Sequence, residues 1–255
     1  MDKIVSVHSF RGGTGKSNVT ANLATIIAGS GKRVGVIDTD IQSPGIHVLF
    51  GLDEESMDRS LNDYLWGKCA IEQAAYDVSS VLNTGAGQGG GCMFLIPSSI
   101  RAGEIARVLR EGYDVNLLND GFRELVRKLQ LDYLFIDTHP GLNEETLLSI
   151  TISDVLLIIM RPDQQDYQGT AVTVEVAQKL EVPKLLLVVN KALASFDFES
   201  LKAKVEGTYG VAVAGIMAES EEMIALGSGG IFCLKHPAHP LSQTLRGIAA
   251  QVMAE

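Results

Sequence analysis

The sequence is short of cysteine, of basic charge and of long apolar runs, and each shortage excludes something. Cys69, Cys92 and Cys233 are its only thiols, and no two of them form a CxxC pair. That excludes a disulfide scaffold and leaves zinc or redox pairing without its usual spacing. Buried free thiols in a reducing cytoplasm are the expectation. Lys and Arg number 21 against 31 Asp and Glu, a formal charge of −10. Such a balance argues against nucleic acid as a partner, though a local basic patch stays open. The longest apolar runs, Val155–Met160 and Leu185–Val189, fall far short of the ~20 residues that span a membrane. Met1–Val5 enters a strand pattern directly, with no charged segment ahead of an apolar one, so a signal peptide is not expected.

The chain has 255 residues, of which 46% are apolar. This size suits one large α/β domain as well as two small ones, and it needs no metal or disulfide staple. No composition shift or internal repeat marks a boundary, so residues 1–255 are expected to form a single domain. Short apolar runs alternate with amphipathic stretches. Strands are expected at Lys3–Ser9, Arg33–Asp38, Met93–Ile96, Asp132–Asp137, Val155–Met160, Lys184–Asn190 and Ala212–Ile216. Helices are expected at Gly15–Gly29, Ile105–Leu109, Leu117–Leu129, Glu144–Ile152, Thr170–Leu180, Ser200–Tyr209 and Leu241–Met253. The alternation predicts an α/β fold: a doubly wound, mostly parallel sheet flanked by helices. Thr84–Cys92 (TGAGQGGGC) is the one low-complexity stretch and reads as a flexible connection.

Arg11-Gly12-Gly13-Thr14-Gly15-Lys16-Ser17 follows the first strand and opens the first helix. That context turns a glycine motif into a phosphate-binding loop. The Walker A pattern GxxxxGK[ST] asks for Gly at position 10, where this chain has Phe10. Glycines let backbone N–H groups converge on phosphate oxygens, and the helix N-terminus adds partial positive charge. Lys16 reaches the phosphates, the Ser17 hydroxyl suits Mg2+, and Thr14 and Asn18 flank them.

The shifted loop resembles the deviant Walker A motif of the MinD/ParA family of P-loop ATPases, usually written KGGxGK[ST]. Val36-Ile37-Asp38-Thr39-Asp40 is similar to the family's switch I. Leu134–Gly141 (LFIDTHPG) is similar to its Walker B and switch II, and Leu187–Lys191 to the strand whose end meets adenine. The resemblance spans the chain in order and implies a P-loop fold that binds ATP with Mg2+ and hydrolyses it slowly. It implies that Arg11, at the family's signature lysine, reaches a partner subunit's phosphates. Arg and Lys are not interchangeable, so a plain solvated cation is the alternative. It also implies that Asp40 orients the attacking water; capping the turn at Ser43-Pro44-Gly45 is the alternative. Asp38 and Asp137, at strand ends, are expected to hold Mg2+ directly or through water, or else to cap helices. Asn190 is expected to read adenine or to cap its strand. His139, beside Pro140, reads as structural.

Family members differ in what they contact. The last helix carries an apolar face of Leu241, Leu245, Ile248 and Val252 with Arg246 as its only basic residue, so no membrane anchor is evident. The densest basic set is Arg101, Arg107, Arg110, Arg123, Arg127 and Lys128, which reads as a solvated face. Residues 138–153 contain no Cys, unlike the iron proteins that share the loop. The expectation is an ATP-dependent homodimer acting on a protein partner. The alternative is a P-loop enzyme of small-molecule metabolism that uses ATP for phosphoryl or amido-ligase chemistry.

Overall fold

Continuous apolar runs become strands whose two faces are both buried. The computed structural model describes residues 2–84 and 90–254. In chain order the elements are β1 (Lys3–His8), α1 (Lys16–Gly29), β2 (Arg33–Asp38), α2 (Ile46–Leu49), α3 (Leu61–Leu65), β3 (Tyr76–Asp77), β4 (Cys92–Ile96), α4 (Ala102–Glu111) and α5 (Val115–Leu129). There follow β5 (Tyr133–Asp137), α6 (Glu144–Thr151), β6 (Val155–Met160), α7 (Gln164–Lys179), β7 (Lys184–Ala192), α8 (Phe198–Tyr209), β8 (Val213–Ala218), α9 (Glu221–Leu226), α10 (Phe232–Lys235) and α11 (Pro240–Met253). Among the described residues these strands form one sheet, ordered β3-β4-β2-β5-β1-β6-β7-β8. Every pairing is parallel except that of β3 with β4.

Strand alternation sorts the side chains to two sides. Val5, Val7, Phe135, Leu157 and Ile159 join the core beneath α1 and α11. Leu134 and Ile136 face α5, while Leu156, Ile158 and Met160 face α7 and α8. Leu241, Leu245, Ile248 and Val252 of α11 lie in the first of these cores, so that apolar face is consumed by packing. Among the described residues no helix is long and apolar enough to cross a membrane.

The expected elements are present, with shifted ends. α7 begins at Gln164, not Thr170. Its first turn is polar and shows no apolar period, and the Asp163 carboxylate caps it by accepting from the N–H groups of Gln165 and Asp166. The short pieces α2, α3, β3, α9 and α10 have too few residues to express a period. β1 lies between β5 and β6, while the chain after β1 runs to β2 on one side. This reversal gathers the C-terminal ends of β1, β2 and β5 at one crevice.

Of the Gly-rich stretch, residues 85–89 lie outside the described residues. Gly91 is no slack linker. A Cβ there would run into the carbonyl oxygens of Ala28 and Lys32, where α1 hands over to β2. Among the described residues nothing lies within 4 Å of a Cβ on Gly90. Urea unfolding should therefore show Gly91→Ala destabilised by about 1–3 kcal/mol, the range for a forced overlap, and Gly90→Ala near wild type. Equal stability for both would contradict the close approach at Gly91.

Candidate functional site

The loop between β1 and α1 turns on two left-handed glycines, Gly13 (φ +77°) and Gly15 (φ +89°). Gly15 is the N-cap of α1 and gives its first turn no side-chain acceptor. No acidic residue occupies that turn either. Open amides and partial positive charge therefore face a cavity of about 220 Å³ lined by Gly12, Gly13, Thr14, Gly15, Lys16, Ser17, Asn18, Asp40 and Pro140. Among the described residues the buried Thr14 hydroxyl has no hydrogen-bond partner. Gly12 has an ordinary backbone, and a Cβ there would meet only Pro140 at 3.9 Å.

A second cavity, of about 450 Å³, abuts the first, with Gly15 and Asn18 lining both. Asn190, Lys191, Met217, Glu219 and Ser220 close its far side. The two make one cleft, with a charged narrow end and a wide, partly apolar end. The Asn190 Nδ2 donates to Thr14 O at 2.7 Å, and its Oδ1 accepts from Lys191 N at 2.9 Å. Lys191 sits at φ +54° and its Nζ donates to Gly13 O at 2.9 Å. The end of β7 thus holds the loop by two bonds, a tether the sequence reading missed. A Cβ on Gly15 would come within 2.5 Å of Asn190 Nδ2, so glycine is required there for room as well as for φ.

Lys16, 7% exposed, donates to Asp137 Oδ1 at 3.0 Å. Thr20, one turn into α1, donates to the same oxygen at 3.1 Å. Asp38 and Asp137 are register partners on β2 and β5, which sets two buried carboxylates side by side. Asp38 accepts from Asp40 N and Gly45 N. Even so, burial and then the Asp137 charge push its carboxyl up to about 8. Asp40 accepts from Ser43 N at 3.1 Å, so the turn-capping bond is made while the residue also lines the phosphate-end cavity. Burial raises its carboxyl too.

His139, read as structural, packs beside Asp40. Its Nδ1 donates to Pro140 O at 2.7 Å, and its Nε2 faces Asp40 Oδ1 at 3.8 Å. His8, unremarked in the sequence, is buried at the end of β1. Thr138 spends its hydroxyl proton on Val7 O, so His8 Nδ1 donates to the Thr138 oxygen at 2.8 Å. Burial, then Lys16 and His139, push the His8 imidazole down to about 3, and its Nε2 has no partner among the described residues.

Arg11 is not a free loop cation. Its guanidinium lies 3.4 Å from Asp166 and 3.6 Å from Asp163, at the start of α7. Arg161 shares both carboxylates. Asp163 and Asp166 are thus partners of the loop as well as helix-start residues.

The sheet order and the loop at its centre are those of the P-loop NTPase fold. A family model described as an AAA domain matches residues 2–189. The chain belongs to this family, within the MinD/ParA group of P-loop ATPases. An uncharacterized ATP-binding protein of Methanocaldococcus jannaschii is 26% identical over 250 residues, covering 98% of this chain and 87% of that one. The septum site-determining protein MinD of Bacillus subtilis is 23% identical over 262 residues, covering 100% and 90%. The MinD of Pyrococcus horikoshii, solved in complex with Mg-ADP, shares the fold with a TM-score of 0.81, 21% identity and coverage of 99% and 96%.

The donor set fits a magnesium nucleotide: an uncapped helix start, an orphaned hydroxyl, a buried lysine and paired strand-end carboxylates. Among the described residues no three His, Cys, Asp or Glu side chains cluster to hold a metal by themselves. Mg2+ asks for few protein ligands, since it keeps waters and binds substrate phosphates.

Asp38 gives the fold a pH signature. Folded Asp38 keeps a proton up to about 8 that the unfolded residue loses near 3.8. Stability attributable to it is therefore present at low pH and lost as pH rises toward 8. His8 acts in the opposite sense, losing stability as pH falls from 6.5 toward about 3. In metal-free buffer, thermal unfolding should show the Asp38 loss uncancelled above pH 6.5, and Asp38→Asn should flatten that arm. An unchanged alkaline slope would mean that Asp38 ionises freely.

Proposed function

We propose that this chain is an ATP-driven dimerisation switch that recruits or positions a protein. Two copies close face to face on ATP, and slow hydrolysis parts them. The placement of Arg11 carries this reading. Its side chain is 38% exposed and is not part of the lining of its own phosphate-end cavity. It is held on the α7 face, outside its own cleft, where its charge suits phosphates bound by a second copy.

In this reading Lys16 and the amides of Gly12, Gly13, Thr14, Gly15 and Ser17 hold the phosphates, and Asn18 closes the cavity behind them. The Ser17 hydroxyl, Asp38 and Asp137 would hold Mg2+, directly or through water. Mg2+ supplies neutralisation of the phosphate charge. Asp40 orients the attacking water at the mouth of the cavity. Asn190 and the wide end of the cleft take the adenine, and Asn190 has one amide hydrogen beyond the bond to Thr14 for that contact. Residues 1–255 act as one ATPase domain.

Charge and packing favour a protein partner. Arg101 pairs with Glu54, Arg107 with Glu111, Arg127 with Glu124 and Lys128 with Glu72. These pairs leave little of a basic face for nucleic acid, and the net charge of −10 opposes one. Scattered free thiols suit a cytoplasmic setting.

Asp40→Ala should bind Mg-ATP but stall before hydrolysis, and gel filtration with Mg-ATP should then show a dimer. A monomer at every concentration would overturn the switch. ATP turnover stimulated by a small metabolite and by no protein would favour the metabolic alternative.

A further inference from the structure

Phe10 occupies the position where the phosphate-loop pattern asks for glycine. Its ring lies against Gly169, in the middle of α7. Any Cβ at 169 would overlap Phe10 Cγ and Cδ1. Gly169 is not among the residues with left-handed φ, so the helix has no conformational need of glycine there. Glycine is also a poor helix former. What Gly169 supplies is room for the ring.

Positions three apart on a helix share a face. Asp166 and Gly169 are so spaced, and Asp163 is the N-cap just ahead of them. The carboxylates take the Arg11 guanidinium, and the notch at Gly169 takes the ring of the residue beside it. The backbone between is tied as well. Ser9 Oγ donates to Arg11 O at 2.8 Å, and Gly141 N donates to Ser9 O at 3.1 Å. Phe10 therefore stands where the phosphate loop, α7 and the Pro140-Gly141 turn meet.

We infer that Phe10 is a positioning residue for Arg11. With the ring seated at Gly169, the Arg11 backbone is fixed on the α7 face. The guanidinium then exchanges Asp166 for a phosphate of the second copy by side-chain rotation alone. The orientation is settled before the copies meet, which is where positioning gains rate. This inference rests on the reading of Arg11 given above.

The test separates positioning from packing. Phe10→Ala should lower the kcat of ATP hydrolysis roughly tenfold to a hundredfold, while KM for ATP moves less than about threefold. Phe10→Leu, which refills the notch, should recover most of the loss. Gly169→Ala expels the ring and should lower both the melting temperature and kcat. Adding Phe10→Ala to Gly169→Ala should restore the melting temperature and leave kcat low. Turnover that returns along with stability, or a Phe10→Ala protein with wild-type kcat, would overturn the inference. On an Arg11→Ala background Phe10→Ala should cost nothing further, because the two act as one unit. Arg11→Ala with unchanged turnover and dimerisation would overturn the Arg11 reading, and this inference with it. A silent Phe10→Ala beside a crippled Arg11→Ala would sink only the role of Phe10.

Discussion

A buried ion pair organises the crevice: Lys16 Nζ on Asp137 Oδ1 at 3.0 Å, with side chains 7% and 1% exposed. It joins the first turn of α1 to the end of β5. Taking two charges out of water costs roughly several kcal/mol per ion, so such a pair is weak support for stability on its own. Asp38 adds a second buried carboxyl in register with Asp137. Its pKa, raised to about 8, is the cost of ionising it beside that neighbour. Two buried carboxyls to one buried lysine, beside uncapped helix amides, suit a ligand that brings both phosphate and a divalent cation.

The rest of the crevice keeps that pair in place. Asn190 and Lys191 tie the phosphate loop to β7 from one side. Phe10 and Arg11 tie its start to α7 from the other. Gly141 N on Ser9 O joins it to the turn after β5. The loop is thus held by β7, α7 and the segment that follows Asp137. The same loop therefore contacts the α7 face, where Arg11 sits.

Much of this was legible in the sequence because its signals are local. Runs such as Val155–Met160 are buried on both faces and read as strands from composition alone. The loop motif needed only a strand before it and a helix after it. The partners of Arg11 were not legible, because Asp166 lies 155 positions away in the chain. Asn190 was left open between two roles and proves to hold the loop while lining the wide cavity. Gly91 read as slack because a close approach to α1 leaves no trace in composition. Asp40 and His139 are a similar case, since each sits in a turn and only the fold brings them to 3.8 Å.

The central claim is that the Lys16–Asp137 crevice exists to take a magnesium nucleotide. Thermal unfolding of wild type and Lys16→Met, each with and without Mg-ATP, tests it most directly. Ligand at about 100 times its Kd should stabilise the wild type by about 2.7 kcal/mol, and Lys16→Met should show no such shift. An equal shift in both proteins would contradict the account, for it would mean that the nucleotide binds without the buried lysine.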